Sequence, residues 1–268
     1  MSEPSGWRHA PALLISIVFL APLVFMVSGS LRYPNQPPPR VPELVPSPLS
    51  PGNFAAAYEL VDIPRYALNS LLVAAVTVPL AVLVASWAGF AISRLPGRWP
   101  MRLVVVSLVA LMIPVTALMI PRFTLFRWVG LTGTYVPLVA PALLGMSPFY
   151  VLVYFRAFRR IPADLYDTAR IEGLSPLATW RRVGMPLVRG ATVAVAVLTF
   201  AASWGNLLDP LIYLTSERMF TLPVGMKALS VLDPYNFPLM LAGAVTATAP
   251  VVLVFVIAQR YLFQEARL

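Results

Sequence analysis

Long apolar runs alternate with short polar connections along this chain, six times over. The runs cover about Ala10–Gly29, Ala67–Ile92, Leu103–Pro121, Pro137–Phe155, Ala191–Leu214 and Phe237–Gln259. A helix crossing about 30 Å of hydrocarbon needs roughly 20 predominantly apolar residues. Each run is close to that length or beyond it, so the pattern predicts an all-α integral membrane protein with six transmembrane helices. Arg102 and Arg122 bracket the third run, since arginine is too costly at the bilayer centre. Internal prolines such as Pro79 and Pro114 would break soluble helices, but in a membrane bundle neighbouring helices re-satisfy the freed backbone groups.

Between the first two runs, "YPNQPPPRVPELVPSPLSP" packs eight prolines into Pro34–Pro51. Such a segment favours extended polyproline conformation and builds no core. Residues 31–53 therefore read as a stiff strap on the outer side, with docking of an external partner as the alternative. No repeat of 20–50 residues and no second soluble domain is evident, so residues 1–268 read as one membrane domain.

Charge adds direction to this plan. Only 12% of the chain is charged and 59% is hydrophobic, where a soluble domain carries about a quarter charged residues. The net charge of +9 is spread between the apolar runs, which argues against nucleic acid and for topology signals. Thirteen of the twenty basic residues fall at Arg8, at Arg94, Arg98 and Arg102, from Arg156 to Arg189, and at Arg260 and Arg267. The positive-inside rule then places both termini and the 156–190 connection in the cytoplasm. The first run is too long for the 7–15-residue core of a signal peptide, so it reads as a retained anchor.

Chemistry is mostly excluded. The chain has no cysteine, and its single histidine, His9, reads as a solvated flank. A membrane enzyme finds no acid–base or metal constellation here. The only lysine is Lys227, which rules out a phosphate-binding loop needing Gly-Lys before Ser or Thr. An ion-coupled carrier tends to bury ionisable groups in mid-span, and these runs carry essentially none.

One connection is punctuated with care: "YDTARIEGLSPLATWRRVGMPLVRG", Tyr166–Gly190. Ile161-Pro162 opens a helix, because proline is welcome at the first helical position. Asp164 and Asp167 complement the dipole of the first turns. Gly173 sits where a left-handed cap ends the helix, and Ser175-Pro176 repeats the opening signal. Leu177, Trp180 and Val183 follow at spacings of three and make one apolar stripe, until Met185-Pro186 stops the second helix. Two short helices at a glycine corner make an L-shaped projection. An interfacial amphipathic hairpin is the alternative reading of this pattern.

The spacing also resembles the "EAA" loop of bacterial ABC importer permeases. In that family Glu-Ala-Ala is followed by Gly four positions after the last Ala, then by an aliphatic-x-aliphatic-Pro ending. Here those positions hold Asp167-Thr168-Ala169, Gly173 and Val183-Gly184-Met185-Pro186. Asp167 and Thr168 depart conservatively from Glu and Ala. Ile161-Pro162 and Glu172 resemble the carbohydrate-uptake branch. So do "YALNSLLVAAVTVPLAVLVASWAGFAISRL", the segment "SWGNLLDPLIYL", and the external turn "FTLPVGMKAL". In the second of these Trp204, Pro210 and Leu211 match, while Gly205 and Asn206 depart from the usual Asn-Asp or Asn-Glu. The match covers nearly the whole chain, and is nearest to the shorter of the two permeases of maltose-type importers.

The resemblance implies a non-catalytic permease forming half of a sugar or oligosaccharide pathway. It implies a second permease in a heterodimer, two ATPase subunits that use ATP and Mg, and an extracytoplasmic solute-binding protein. No cofactor is implied for this chain itself. Asp167, Thr168, Ala169, Arg170, Glu172, Gly173 and Pro186 would couple to the ATPase, with small Thr168 and Ala169 permitting close approach. A sugar site wants aromatic faces and a few convergent polar groups, so Trp204, Asn206, Asp209 and Asn69 are the pathway candidates. Their plainer reading is an interfacial tryptophan and a wetted carboxylate. Glycerol phosphate or a polyol is the alternative solute. Permeases for amino acids, peptides or phosphate lie further off.

Overall fold

The computed structural model describes residues 6–41 and 43–262. The side chains of residues 6–10, 12 and 262 lie outside that description, and with them the expectations placed on Arg8, His9 and Arg267. All regular structure among the described residues is helical. In chain order α1 is Gly6–Ser30, α2 Gly52–Leu60 and α3 Ile63–Arg94. Then α4 (Trp99–Leu111) and α5 (Met119–Trp128) flank a 3-10 turn at Val115–Leu118. Next, α6 (Val136–Val139) and a 3-10 turn at Ala140–Leu144 precede α7 (Pro148–Arg160) and α8 (Ala163–Ile171). A π turn at Trp180–Gly184 joins α9 (Pro176–Thr179) to α10 (Met185–Leu187). Last come α11 (Arg189–Trp204), α12 (Leu208–Tyr213), α13 (Leu222–Leu232) and α14 (Phe237–Leu262).

Among the described residues four stretches are long and apolar enough to cross a membrane: Leu13–Ser30, Ile63–Arg94, Val136–Arg160 and Phe237–Tyr261. Two bent pairs raise the number to six if each is one span. They are Trp99–Leu111 with Val115–Trp128, bent by 81°, and Pro176–Leu187 with Arg189–Trp204, bent by 85°.

Three expectations are corrected. The third run is not one straight helix: it stops at Leu111 and turns at Pro114, whose ψ of 129° is extended. Pro114 lacks an N–H and pushes the residue before it out of the helical region. Pro79, by contrast, sits inside an unbroken α3. The second helix of the 156–190 connection does not stop at Met185-Pro186. It widens into the π turn, where the Met185 N–H donates to the Trp180 carbonyl, and breaks at Val188 (φ −108°, ψ 28°). The extra residue in that turn re-pairs the backbone just before Pro186, which has no N–H to offer. Finally, "FTLPVGMKAL" is not a turn, because α13 starts at Leu222 with Pro223 in its first turn, the helical position proline tolerates best.

The chain divides into two compact units, residues 1–67 with 222–250 and residues 68–221 with 251–268. In the first, Ala57, Ile63, Tyr66, Leu222, Leu229 and Leu239 are buried. The proline-rich strap there is a closed loop. Buried Asn53 donates to the carbonyls of Ser30 (2.9 Å) and Arg32 (2.7 Å), and Ser50 N–H to Leu31 O (2.7 Å). These bonds satisfy the Ser30 carbonyl that the end of α1 leaves open and the two carbonyls that follow it.

The second unit holds an aromatic core. Tyr150, Tyr154 and Phe158 recur every fourth residue of α7, the spacing of one helical face, and are buried. Phe90 of α3 meets Phe158 edge-on at 5.3 Å, and Tyr154 stacks on Phe158 at 5.9 Å. Close approach of α3 to α7 depends on Gly89, where a Cβ would fall 2.6 Å from Tyr154 Cβ and 2.8 Å from Phe155 N. Ile161, Tyr166, Trp180 and Val188 pack onto this cluster, so the core reaches under the polar connection.

Candidate functional site

Helix α8 is held by its buried side. Tyr166 and Ala169 face the aromatic core and are 7% and 3% exposed, while Asp167, Thr168, Arg170 and Glu172 are exposed. Ala169 therefore serves the packing beneath the helix, not close approach from outside, which corrects the role given to its small size. The helix closes in a Schellman turn. Gly173 N–H donates to Arg170 O (3.0 Å), Leu174 N–H to Ala169 O (3.0 Å), and Gly173 has φ +75°. An L-residue costs about 1–2 kcal/mol in that conformation, with Asn and Asp the best tolerated. Open space surrounds the position of its absent Cβ. At Ser175 the chain restarts, the side chain accepting from Ala178 N–H at 3.3 Å. Pro186 is exposed.

At the end of α8 stands Ile171, 88% exposed, with Leu165 and Leu177 also exposed. Isolated surface leucines need no explanation, but here three apolar side chains accompany four exposed polar ones on a short projection. The helix rests on a cleft of about 670 Å³ lined by Ser93, Arg94, Arg159, Tyr166, Asp167 and Arg170, among others. The Arg94 guanidinium lies over the Tyr166 ring, 3.7 Å from its centroid. Such a contact contributes about 0.5–2 kcal/mol and ties the end of α3 to α8. The Tyr166 hydroxyl donates to Phe158 O at 3.4 Å. Burial raises its pKa above the ordinary tyrosine value, with the Arg94 charge acting the other way, so it stays a protonated donor at physiological pH.

The pathway candidates separate. Asn69 is buried and donates through Nδ2 to both Arg218 O and Phe220 O, each at 2.9 Å. Both amide donors are spent on holding the 218–220 segment, so Asn69 is corrected from a ligand contact to a clamp. Trp204 is buried and stacked on Phe200 at 5.4 Å, with no open ring face of the kind a sugar needs. Asn206 and Asp209 come together at the break between α11 and α12. Asn206 Nδ2 donates to Asp209 Oδ2 (2.9 Å), and Asp209 N–H returns to Asn206 Oδ1 (3.2 Å).

Sequence reasoning missed the partner of Asp209. Arg122 Nη2 of α5 lies 3.5 Å from Asp209 Oδ2, with both side chains mostly buried, and also reaches Pro137 O at 3.5 Å. The two residues are far apart in sequence, and Arg122 carried only the signal of a span flank. Asp209→Asn should destabilise the detergent-purified chain by about 1–3 kcal/mol, read as a lower melting temperature, because a mostly buried guanidinium is left uncompensated. Arg122→Met with Asp209→Leu should recover most of that loss, since apolar replacement of a buried pair is often neutral. A single variant as stable as the wild type would show that the pair contributes nothing.

Among the described residues all regular structure is helical and four to six stretches are long and apolar enough to span a membrane, the make-up of a multi-pass membrane protein. Residues 78–268 match the family described as binding-protein-dependent transport system inner membrane component, and the chain belongs to that family. It is similar to the arabinooligosaccharides transport system permease protein AraQ of Halalkalibacterium halodurans, 34% identical over 195 residues, covering 72% of this chain and 68% of that one. It is also similar to the lactose transport system permease protein LacG of Rhizobium radiobacter, 29% identical over 267 residues, covering 97% and 94%. Its fold resembles a chain of a bacterial ABC transporter involved in the import of the acidic polysaccharide alginate. The TM-score there is 0.75 at 20% identity, covering 97% of this chain and 99% of that one. The chain is thus a multi-pass inner-membrane permease of an ABC transporter, a transport component and not a catalyst.

Proposed function

We propose that this chain is half of the translocation pathway of an ATP-driven importer for a sugar or oligosaccharide. It crosses the membrane six times, with α4 and α5 together as the third span and α11 with α12 as the fifth, and with both termini and the 156–190 connection in the cytoplasm. A second permease completes the pathway, and a solute-binding protein delivers from outside, in keeping with the family description. Two separate ATPase subunits bind ATP and Mg.

The observation that carries the coupling role is α8 itself. Its exposed face presents Asp167, Thr168, Arg170, Glu172 and Ile171, and its buried face is fixed to the aromatic core through Tyr166, Ala169 and Arg94. The apolar tip supplies contact area, and the charges around it set register with the ATPase. Closure of the two ATPases would draw α8 along, and α3 and α7 would follow as a packed body, because packed interfaces switch between discrete arrangements. On the pathway side, Asn206 and Asp209 are the retained candidates, with Arg122. The carboxylate of Asp209 faces that guanidinium, so the trio offers no surplus positive charge, which favours an uncharged glycan over glycerol phosphate.

The test is co-purification from detergent-solubilised membranes with this chain tagged. The wild type should bring down an ATPase and a second permease. Gly173→Asp, which strains the corner, should keep the permease and lose most of the ATPase. ATPase recovery equal in both would remove the glycine corner from the coupling, and no ATPase in either would move an ion-coupled carrier to the front.

A further inference from the structure

The strap between α1 and α2 takes part in neither the coupling helix nor the pathway trio, yet it is built with unusual care. We propose that the strap and the outer end of α1 bind one phospholipid whose headgroup carries both a phosphate and an ammonium, as phosphatidylethanolamine does. The binding site has two parts that meet at Ser28.

The headgroup part is a cavity of about 380 Å³ between α1, α14 and the strap, with Arg32, Arg40 and Glu43 on one side and apolar residues such as Phe25, Met26 and Phe237 on the other. Arg32 is only 9% exposed. Its Nη1 donates to Pro37 O at 2.7 Å, and its Nε lies 3.6 Å from Glu43 Oε2 without a hydrogen bond of its own. A mostly buried guanidinium with an unsatisfied N–H is costly unless a further acceptor arrives. Arg40, exposed at the same cavity, makes two guanidiniums to one carboxylate. A phosphate fits that surplus, and arginine is the side chain best shaped to hold one. Glu43 is half exposed and keeps a carboxylate face for an ammonium group beside the phosphate.

The apolar part is a cavity of about 510 Å³ lined by Leu23, Val24 and Val27 of α1 and by Leu44, Val45 and Leu49 of the strap, among others. Those three strap residues are exposed, which makes them available to an acyl chain. Ser28 lines both cavities and donates to Glu43 O. It lies at the end of the apolar stretch Leu13–Ser30, and the two cavities flank the same outer turns of α1 on neighbouring faces. A soluble anion would leave the apolar groove without a use, and a lipid fills both parts with one molecule. The bonds from Asn53 and Ser50 preform the loop, which lowers the ordering cost of binding.

Native mass spectrometry of the delipidated full-length chain, titrated with dioleoyl phosphatidylethanolamine, dioleoyl phosphatidylglycerol or free phosphoethanolamine, tests it. The wild type should bind one phosphatidylethanolamine at least tenfold more tightly than phosphatidylglycerol. Glu43→Gln should erase that preference, and Arg40→Gln should weaken both lipids at least fivefold. Because Arg32 also holds Pro37, the more exposed Arg40 and Glu43 carry the test, with an unchanged melting temperature as the control for folding. Equal binding of the two lipids by the wild type, or wild-type binding by both variants, would overturn the proposal. Phosphoethanolamine competing as well as the whole lipid would overturn it too, since the site would then be a headgroup-anion site with no use for the membrane.

Discussion

Gly89→Val is expected to cost the chain at least about 3 kcal/mol of stability. A Cβ at this position meets Tyr154 Cβ at 2.6 Å, Phe155 N at 2.8 Å and Val151 O at 2.9 Å. Two of these are backbone atoms of α7, so no rotamer change relieves the overlap, and α3 and α7 must move apart. That separation would open the stack of Phe90, Tyr154 and Phe158 on which α8 rests. Overpacking of a well-packed core costs about 1–3 kcal/mol, occasionally more, and backbone contacts on both sides place this case at or above the upper end. Against a total stability of about 5–15 kcal/mol, that is a large share of the margin, so the melting temperature in detergent should fall well below the wild type's, with Gly89→Ala intermediate. A Gly89→Val chain that melts as the wild type does would mean that α3 and α7 do not approach as described.

The second large effect concerns function with the fold intact. Ile171→Asp should reduce solute uptake more than tenfold while the chain accumulates and elutes normally. Ile171 makes almost no contact within the chain, so its loss removes little internal packing. A carboxylate in the last turn of α8 opposes the helix dipole, a cost of about 0.3–1 kcal/mol, too small to unfold a chain of this size. If Ile171 is the apolar anchor of the docked helix, burying a charge in its place costs about 2 kcal/mol or more of binding, a factor of about thirty in affinity. Ile171→Ser separates the contributions, since it removes the anchor without adding charge and should fall between. Uptake within twofold of the wild type, at equal protein level, would take α8 out of the interface. The Arg94–Tyr166 contact offers a complementary readout: Arg94→Gln should leave ATPase binding nearly intact but loosen the tie from α8 to α3.

Ile171 also illustrates where sequence reasoning stops. The motif gave Asp167, Thr168, Ala169, Arg170, Glu172 and Gly173 as a set, because their order and spacing are local properties. It had no means of dividing the set. Whether Ala169 looks outward or inward depends on where α3 and α7 lie, and that is decided by contacts with residues such as Phe90 and Phe158. The pathway candidates fared likewise. Asn69 is spent on two carbonyls about 150 residues away in the chain, and Asp209 pairs with an arginine that looked like a span flank.

The sequence by itself determined the material of this protein: an all-helical chain for lipid, apolar runs of spanning length, a proline-rich strap and one polar projection turned at Gly173. Each follows from short-range chemistry, namely hydropathy over about 20 residues, the missing N–H of proline and the left-handed tolerance of glycine. Only the tertiary structure decided how close α3 lies to α7, which side of α8 is free, and that the strap closes back on α1 beside two cavities. Those outcomes turn on long-range pairs, Asn53 with Ser30, Arg32 with Glu43 and Gly89 with Tyr154. Burial and hydrogen bonding between distant segments select among conformations that the local chemistry leaves equally open.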